Sequence, residues 1–184
     1  MQENSTVIVG LGNPGPTYAK NRHNVGFMVL DELRSDFTFD KYSNAQIAPY
    51  AGMRLVKPQT FMNDSGKSAQ KFKGSEIVVV YDDIDIELGK VKCSFDRGAG
   101  GHNGVQSIID HLGTTAFARI RVGVRPVHEE LLPRIAPPDG FEKFLLSDFA
   151  PFESELREQG IKRAIEIIEA LKTKSFDEVM NEFN

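Results

Sequence analysis

Ile77-Val78-Val79-Val80-Tyr81-Asp82-Asp83 is the stretch that decides the fold. Its first five positions are apolar or aromatic and show no polar alternation, as expected for a central strand covered on both faces. Strands of that kind belong to α/β domains, in which crossover helices cover the sheet from both sides. The carboxylates that follow then stand at a strand's carboxyl end, where open α/β sheets form their sites.

Working outward, Thr6-Val7-Ile8-Val9-Gly10 reads as a second short buried strand ended by glycines. Val25, Met28, Val29 and Leu33 follow at helical spacing and predict a helix over residues 24–36. Residues 37–52 have a weak pattern with room for one short strand. Residues 54–57 form another, stopped by Pro58, and residues 65–72 a short helix capped by Asp64 or Ser65. Residues 91–95 and 119–124 alternate and read as strands. Between them Val105, Ile108, Ile109 and Leu112 mark one helical face that Gly113 is placed to stop. Residues 152–171 carry Leu156, Ile161, Ala164, Ile165, Ile168 and Leu171 on one stripe. A last helix starts at Ser175, where Ser175 and Glu178 have capping-box spacing and Phe176, Val179, Met180 and Phe183 face a core. The alternation predicts one α/β domain over residues 1–184, a three-layer sandwich with a mixed, mostly parallel twisted sheet flanked by helices. The proline-rich residues 126–138 are the one candidate for a long mobile loop.

The 184 residues make one domain's worth, long enough to bury roughly 70% of the surface of the unfolded chain. Hydrophobic content of 40% and charged content of 26% are those of an ordinary globular protein. The single cysteine excludes an internal disulfide, and the first six residues lack a basic region followed by an apolar core. No apolar run approaches the ~20 residues of a membrane helix. The expectation is a cytoplasmic, monomeric protein with no membrane contact. A net charge of -4 speaks against nonspecific nucleic-acid binding but leaves room for a local basic face.

Gly10-x-Gly12-x-x-Gly15 after a strand satisfies the dinucleotide fingerprint in form, but Pro14 and Pro16 interrupt it and helical spacing resumes only near Val25. The glycines fit better a loop that presents Asn13. Ser65-Gly66-Lys67-Ser68 resembles the end of a phosphate-binding loop, yet Phe61 stands where its leading glycine belongs. Asp82, Asp83 and Asp85 invite a Mg²⁺ reading, although alternation sends Asp82 and Asp83 to opposite sides of a continuing strand. His23, His102, His111, His128 and Cys93 have no zinc spacing, and Cys93 reads as a small strand hydrophobe.

His23 in Arg22-His23-Asn24 and Asp82 make a possible base and orienting carboxylate on separate loops, with no Ser or Cys nucleophile signature, so water is the natural attacking group. The segments Gly10-Leu11-Gly12-Asn13-Pro14-Gly15 with Tyr18, Arg22-His23-Asn24, Thr60-Phe61-Met62-Asn63, Asp82 and Gly100-Gly101-His102-Asn103-Gly104 together resemble bacterial-type peptidyl-tRNA hydrolase, over most of the chain. The resemblance implies hydrolysis of the ester joining a peptide to the 3′-terminal ribose of tRNA, without metal or organic cofactor. It implies His23 as general base, Asp82 as its orienting group, and Asn13 positioning the carbonyl or terminal nucleotide. Asn63 and Asn103 would bond the peptide next to the ester. Phe61 and Met62 would line the peptide channel, with Tyr18 and His102 flanking it. Arg121, on an alternating strand whose Arg119, Arg121 and Arg125 share a face, would meet a tRNA phosphate. Three departures bear on tRNA docking: Ser94 where a basic residue is expected, an unusual segment at 126–140, and a shortened one at 35–52. A hydrolase of small esters or amides and a noncatalytic RNA-binding protein remain as alternatives. The latter would need phosphate contacts alone and not this set of site residues.

Overall fold

The computed structural model describes residues 5–127 and 140–184; His128 and most of the proline-rich stretch lie outside them. The strands β1 (Thr6–Gly10), β4 (Met53–Pro58), β5 (Glu76–Glu87) and β7 (Ala118–Arg125) form a parallel centre. Antiparallel β2 (Thr38–Asp40) and β3 (Ala45–Tyr50) extend one side and β6 (Val91–Phe95) the other, in the order β2-β3-β4-β1-β5-β7-β6. Ile8, Val78, Val80 and Ile120 pack on one side against α1 (Val25–Leu33), α5 (Ser154–Ala170) and α6 (Phe176–Phe183). Val7, Val9, Val79 and Tyr81 pack on the other against α2 (Ser65–Ala69) and α3 (Asn103–Leu112). These are the three layers expected of a sheet whose central strands are apolar on both faces. A short α4 (Gly140–Leu145) lies apart, near the end of β5.

The structure differs from the sequence reading in several places. Residues 37–52 hold two strands and not one, because β2 and β3 form an antiparallel hairpin at the sheet edge. The first helix ends at Leu33, where Arg34 turns extended and its guanidinium bonds Asp36. Asp64 and Ser65 make no cap bond to α2; Asp64 pairs with Lys67 instead. Asp82 is inside β5 and not beyond its end, since pairing with β7 continues through Asp82↔Val122 and Asp83↔Gly123 before the register shifts. Strand β1 reaches only Val80, so β5 projects past it and leaves one flank of Asp82 open to the loops. The expected terminators hold: Gly113 closes α3 at φ 72°, and Ser175 with Glu178 forms the capping box of α6.

Gly26 brings α1 onto the sheet. A Cβ there would lie 2.4 Å from the Val80 carbonyl oxygen and 2.5 Å from the Leu11 amide nitrogen. Gly10 and Gly12 are small for the same reason, facing the Gly26 carbonyl and the Phe27 ring respectively. This contact seats the turn just before α1 against β5. Gly26→Ala is therefore expected to cost at least the ~1–3 kcal/mol of an overpacked core, read as a lower denaturant midpoint. A midpoint equal to the parent's would mean that helix and sheet are not locked at this contact.

Candidate active site

Beyond β1 the chain turns out through Leu11-Gly12-Asn13, and buried Asn24 holds that turn. Its Nδ2 donates to the Asn13 carbonyl and its Oδ1 accepts the Asn13 N–H, both at 2.9 Å. Asn13 Oδ1 accepts the Met62 N–H at 2.7 Å, which fixes the amide orientation and leaves Nδ2 as the group Asn13 can present to the cleft. The same bond ties the Thr60–Asn63 loop to the Asn13 loop.

His23 stands on the 3-10 turn Arg22–Asn24, with Nδ1 2.9 Å from each oxygen of Asp82. His102 reaches the same carboxylate from beside His23, the ring centroids 4.9 Å apart, with its Nε2 2.9 Å from Asp82 Oδ1. The Asp82 side chain is 1% exposed. Burial pushes its carboxyl up, but the two imidazoles facing it hold it well below the usual carboxylate range. Nδ1 of His23 therefore donates and its Nε2 is left bare, the tautomer a general base requires. Burial lowers the His23 imidazole, yet the charge and hydrogen bond of Asp82, with a smaller contribution from Glu142, carry it above the ordinary histidine value.

Arg22 latches the far wall of the site. Its guanidinium donates to Ser147 Oγ at 2.7 Å and to the carbonyls of Ser147 and Asp148, pairs with buried Glu153, and lies 4.2 Å over the Phe144 ring. The segment after α4 is thus tied to the residue next to the histidine. The resulting cleft, of about 440 Å³, is lined by Asn13, His23, Phe61, Met62, Asn63, His102 and Asn103, and from α4 onward by Phe141, Glu142, Leu145 and Leu146.

The structure thus brings together Asn13, His23, Asp82, Phe61, Met62, Asn63, His102 and Asn103. Tyr18 is one step removed, packed edge-on against Phe61 with ring centroids 6.3 Å apart. Arg121 lies on an adjoining pocket with Asp83, Arg97 and the glycine-rich loop, and its Nε donates to Asp83 Oδ2 at 2.8 Å. That pocket meets, at Arg97 and Arg121, a wider cleft of about 860 Å³ whose lining includes Lys90, Lys92, Lys162 and Arg163. Arg119 lies on the same side of β7 as Arg121 but does not reach this open surface. It is fully buried and donates to the carbonyls of Arg97 and Gly98, holding the glycine-rich loop. Ser94 is buried as well, so its side chain is not part of an open basic surface. The acidic run does not converge: Asp82 faces the histidines, Asp83 pairs with Arg121, and Asp85 is exposed. Ligand-type atoms of His23, Asp82 and His102 lie within 4.8 Å of one another, and hydrogen bonds account for that arrangement without a cation. Burial raises the Cys93 thiol to about 11, consistent with its packing role.

The structural roles of Asn24, Arg22 and Arg119, and the α4 wall as a whole, escaped the sequence reading. Asn24 had a signal in Arg-His-Asn; the short α4, next to a proline-rich stretch, had none.

The profile of the family described as Peptidyl-tRNA hydrolase matches residues 7–184. The peptidyl-tRNA hydrolase of Bacillus subtilis is 38% identical over 192 residues, covering 97% of each chain. That of Pseudothermotoga lettingae is 37% identical over 187 residues, covering 97% of this chain and 96% of the relative. The crystal structure of peptidyl-tRNA hydrolase from Acinetobacter baumannii superposes with a TM-score of 0.81 at 29% identity, over 100% of this chain and 96% of that one.

Proposed function

This chain belongs to the peptidyl-tRNA hydrolase family and so hydrolyses the ester of peptidyl-tRNA to release tRNA, and we propose that His23 activates the attacking water with Asp82 as its orienting carboxylate. The observation that carries this reading is the 2.9 Å contact of His23 Nδ1 with Asp82 at the floor of a cleft lined by three asparagines, Asn13, Asn63 and Asn103. Bare Nε2 takes a proton from water as the oxygen adds to the ester carbonyl. Asn13 Nδ2 and the amides of Asn63 and Asn103 supply donors for the developing oxyanion and the adjacent peptide group. The imidazolium then returns the proton to the departing ribose oxygen, giving a peptide acid and free tRNA. An aminoacyl ester is already activated, so no covalent intermediate is needed.

Phe61, Met62, Phe141 and Leu146 offer the peptide an apolar channel, with Tyr18 bracing Phe61. A blocked amino end is accommodated there, whereas a free ammonium would be buried without its water. Release of an N-blocked amino acid from tRNA should therefore outpace release of the unblocked one, and proceed equally with chelator present. A chelator-sensitive rate restored by Mg²⁺ would sink the metal-free mechanism. The proposal also has the enzyme act in the cytoplasm as a monomer. Among the described residues no helix is long and apolar enough to cross a membrane.

For tRNA, the reading takes the basic cleft of Lys90, Lys92, Arg97, Arg121, Lys162 and Arg163 as the phosphate-binding face, joined to the catalytic cleft through the pocket of Asp83 and the glycine-rich loop. In this chain Lys92 and Arg97 provide charge that Ser94 does not. Arg121→Ala is expected to raise KM for peptidyl-tRNA and flatten its salt dependence by roughly one counterion. An N-blocked aminoacyl-adenosine, which lacks the distant phosphates, should be cleaved as before. Equal losses on both substrates would assign Arg121 to the fold through Asp83.

A further inference from the structure

We infer that His102 is a positioning residue for the His23–Asp82 pair, a second donor whose tautomer is set by helix α3, and not a hydrogen-bonding contact to the peptide. The inference rests on His23 being the base. Its ground is that both ring nitrogens are already engaged. Nδ1 accepts the N–H of Val105 at 3.3 Å, so His102 is the side-chain N-cap of α3. A nitrogen that accepts an N–H carries no proton, which puts the ring proton on Nε2. Nε2 lies 2.9 Å from Asp82 Oδ1 and therefore donates to it. The ring is 8% exposed, edge-on to Tyr81 and tilted 45° to His23, with both centroid separations 4.9 Å. No nitrogen remains for a substrate.

The choice of histidine needs a reason, because Ser, Asp or Asn is the usual N-cap and Asn is among the best. What histidine adds is a second nitrogen on the far side of the ring, long enough to bridge the helix end to the carboxylate. Two consequences follow. Asp82 is held by two ring N–H groups, that of His23 shared by both oxygens and that of His102 on Oδ1, so its orientation toward His23 is fixed. Its charge is also shared between two donors, which limits how strongly it holds the proton on His23. Among the described residues the titratable groups facing His23 are Asp82 of β5, His102 and Glu142 of α4, and those facing His102 are Asp82, His23 and Tyr81. Removing the His102 bond leaves more of the Asp82 charge on His23. The base is then lost at a higher pH.

Nitrogen-15 NMR of the intact enzyme near pH 7 tests the tautomer directly, with His102 Nδ1 expected bare and Nε2 protonated; the opposite tautomer would overturn the inference. His102→Asn keeps a good cap but is too short to reach Asp82. It is expected to lower kcat roughly tenfold, the order of one charge-assisted hydrogen bond. The acid limb of the pH–rate profile should move to higher pH while KM and thermal stability hold. His102→Gln can donate to Asp82 and should recover most of kcat and the parent acid limb. A raised KM in His102→Asn with kcat and acid limb unmoved would make His102 a substrate contact and overturn the positioning role. An active His23→Ala enzyme would remove the base assignment, while the NMR result would still decide the tautomer.

Discussion

His23→Ala is expected to lower kcat/KM for peptidyl-tRNA by on the order of 10²–10⁴-fold, the range for loss of a general base, while tRNA affinity and thermal stability stay near those of the parent. His23 is the histidine whose second nitrogen faces the cleft while the first is held by Asp82. His102 cannot substitute, since its nitrogens are taken by Val105 and Asp82. The Arg22 latch and the Asn24 clamp on the Asn13 loop involve neighbouring side chains and should survive the substitution. Single-turnover hydrolysis at saturating enzyme separates the chemical step from binding. A near-parental rate there would remove His23 from the mechanism.

Asp82→Asn should be severe but milder, toward the ~10²-fold end of the same range, because the imidazole keeps its place while losing its orienting charge. Both His23 Nδ1 and His102 Nε2 require an acceptor at residue 82. An amide offers one oxygen and one NH₂, so one ring is left facing a donor. If that ring is His23, its proton moves to Nε2, the nitrogen that must stay bare. The pH profile should change in a defined sense. Burial lowers the His23 imidazole, and without Asp82 the described group left to oppose it is the remoter Glu142. The acid limb then shifts to lower pH with a reduced plateau, opposite to the shift expected for His102→Asn. An unmoved acid limb would show that Asp82 does not set the protonation of His23.

Much of this was legible in the residues. The apolar run 77–81, helical spacing in α1, α3 and α5, Gly113 and the Ser175–Glu178 box are local signals, because periodicity and caps depend on neighbours within a turn or two. The hairpin at 38–50 was blurred because an edge strand such as β2 buries little and has weak alternation. The length of β5 was hidden because Asp82, Asp83 and Asp85 look like the end of a strand. Pairing with β7 carries the strand on through Glu87, and Arg121 and the two histidines satisfy the first two carboxylates. Alternation put Arg119 on the Arg121 side of β7, where it is, but could not tell that this part of the strand is covered and that the guanidinium ends on carbonyls of the glycine-rich loop.

The sequence by itself determined the α/β class and the position of most helices, since local pattern suffices for those, and it offered His23, Asp82, Asn13, Asn63 and Asn103 as candidates through the resemblance of their segments to a known family. Only the tertiary structure decided that one buried carboxylate serves two histidines, that Met62 orients the Asn13 amide, and that α4 closes the cleft through Arg22. Each of these depends on distances between segments 20 to 126 residues apart. Such distances are set by how helices seat on the sheet, at contacts such as Gly26 on Val80, and no local pattern encodes them.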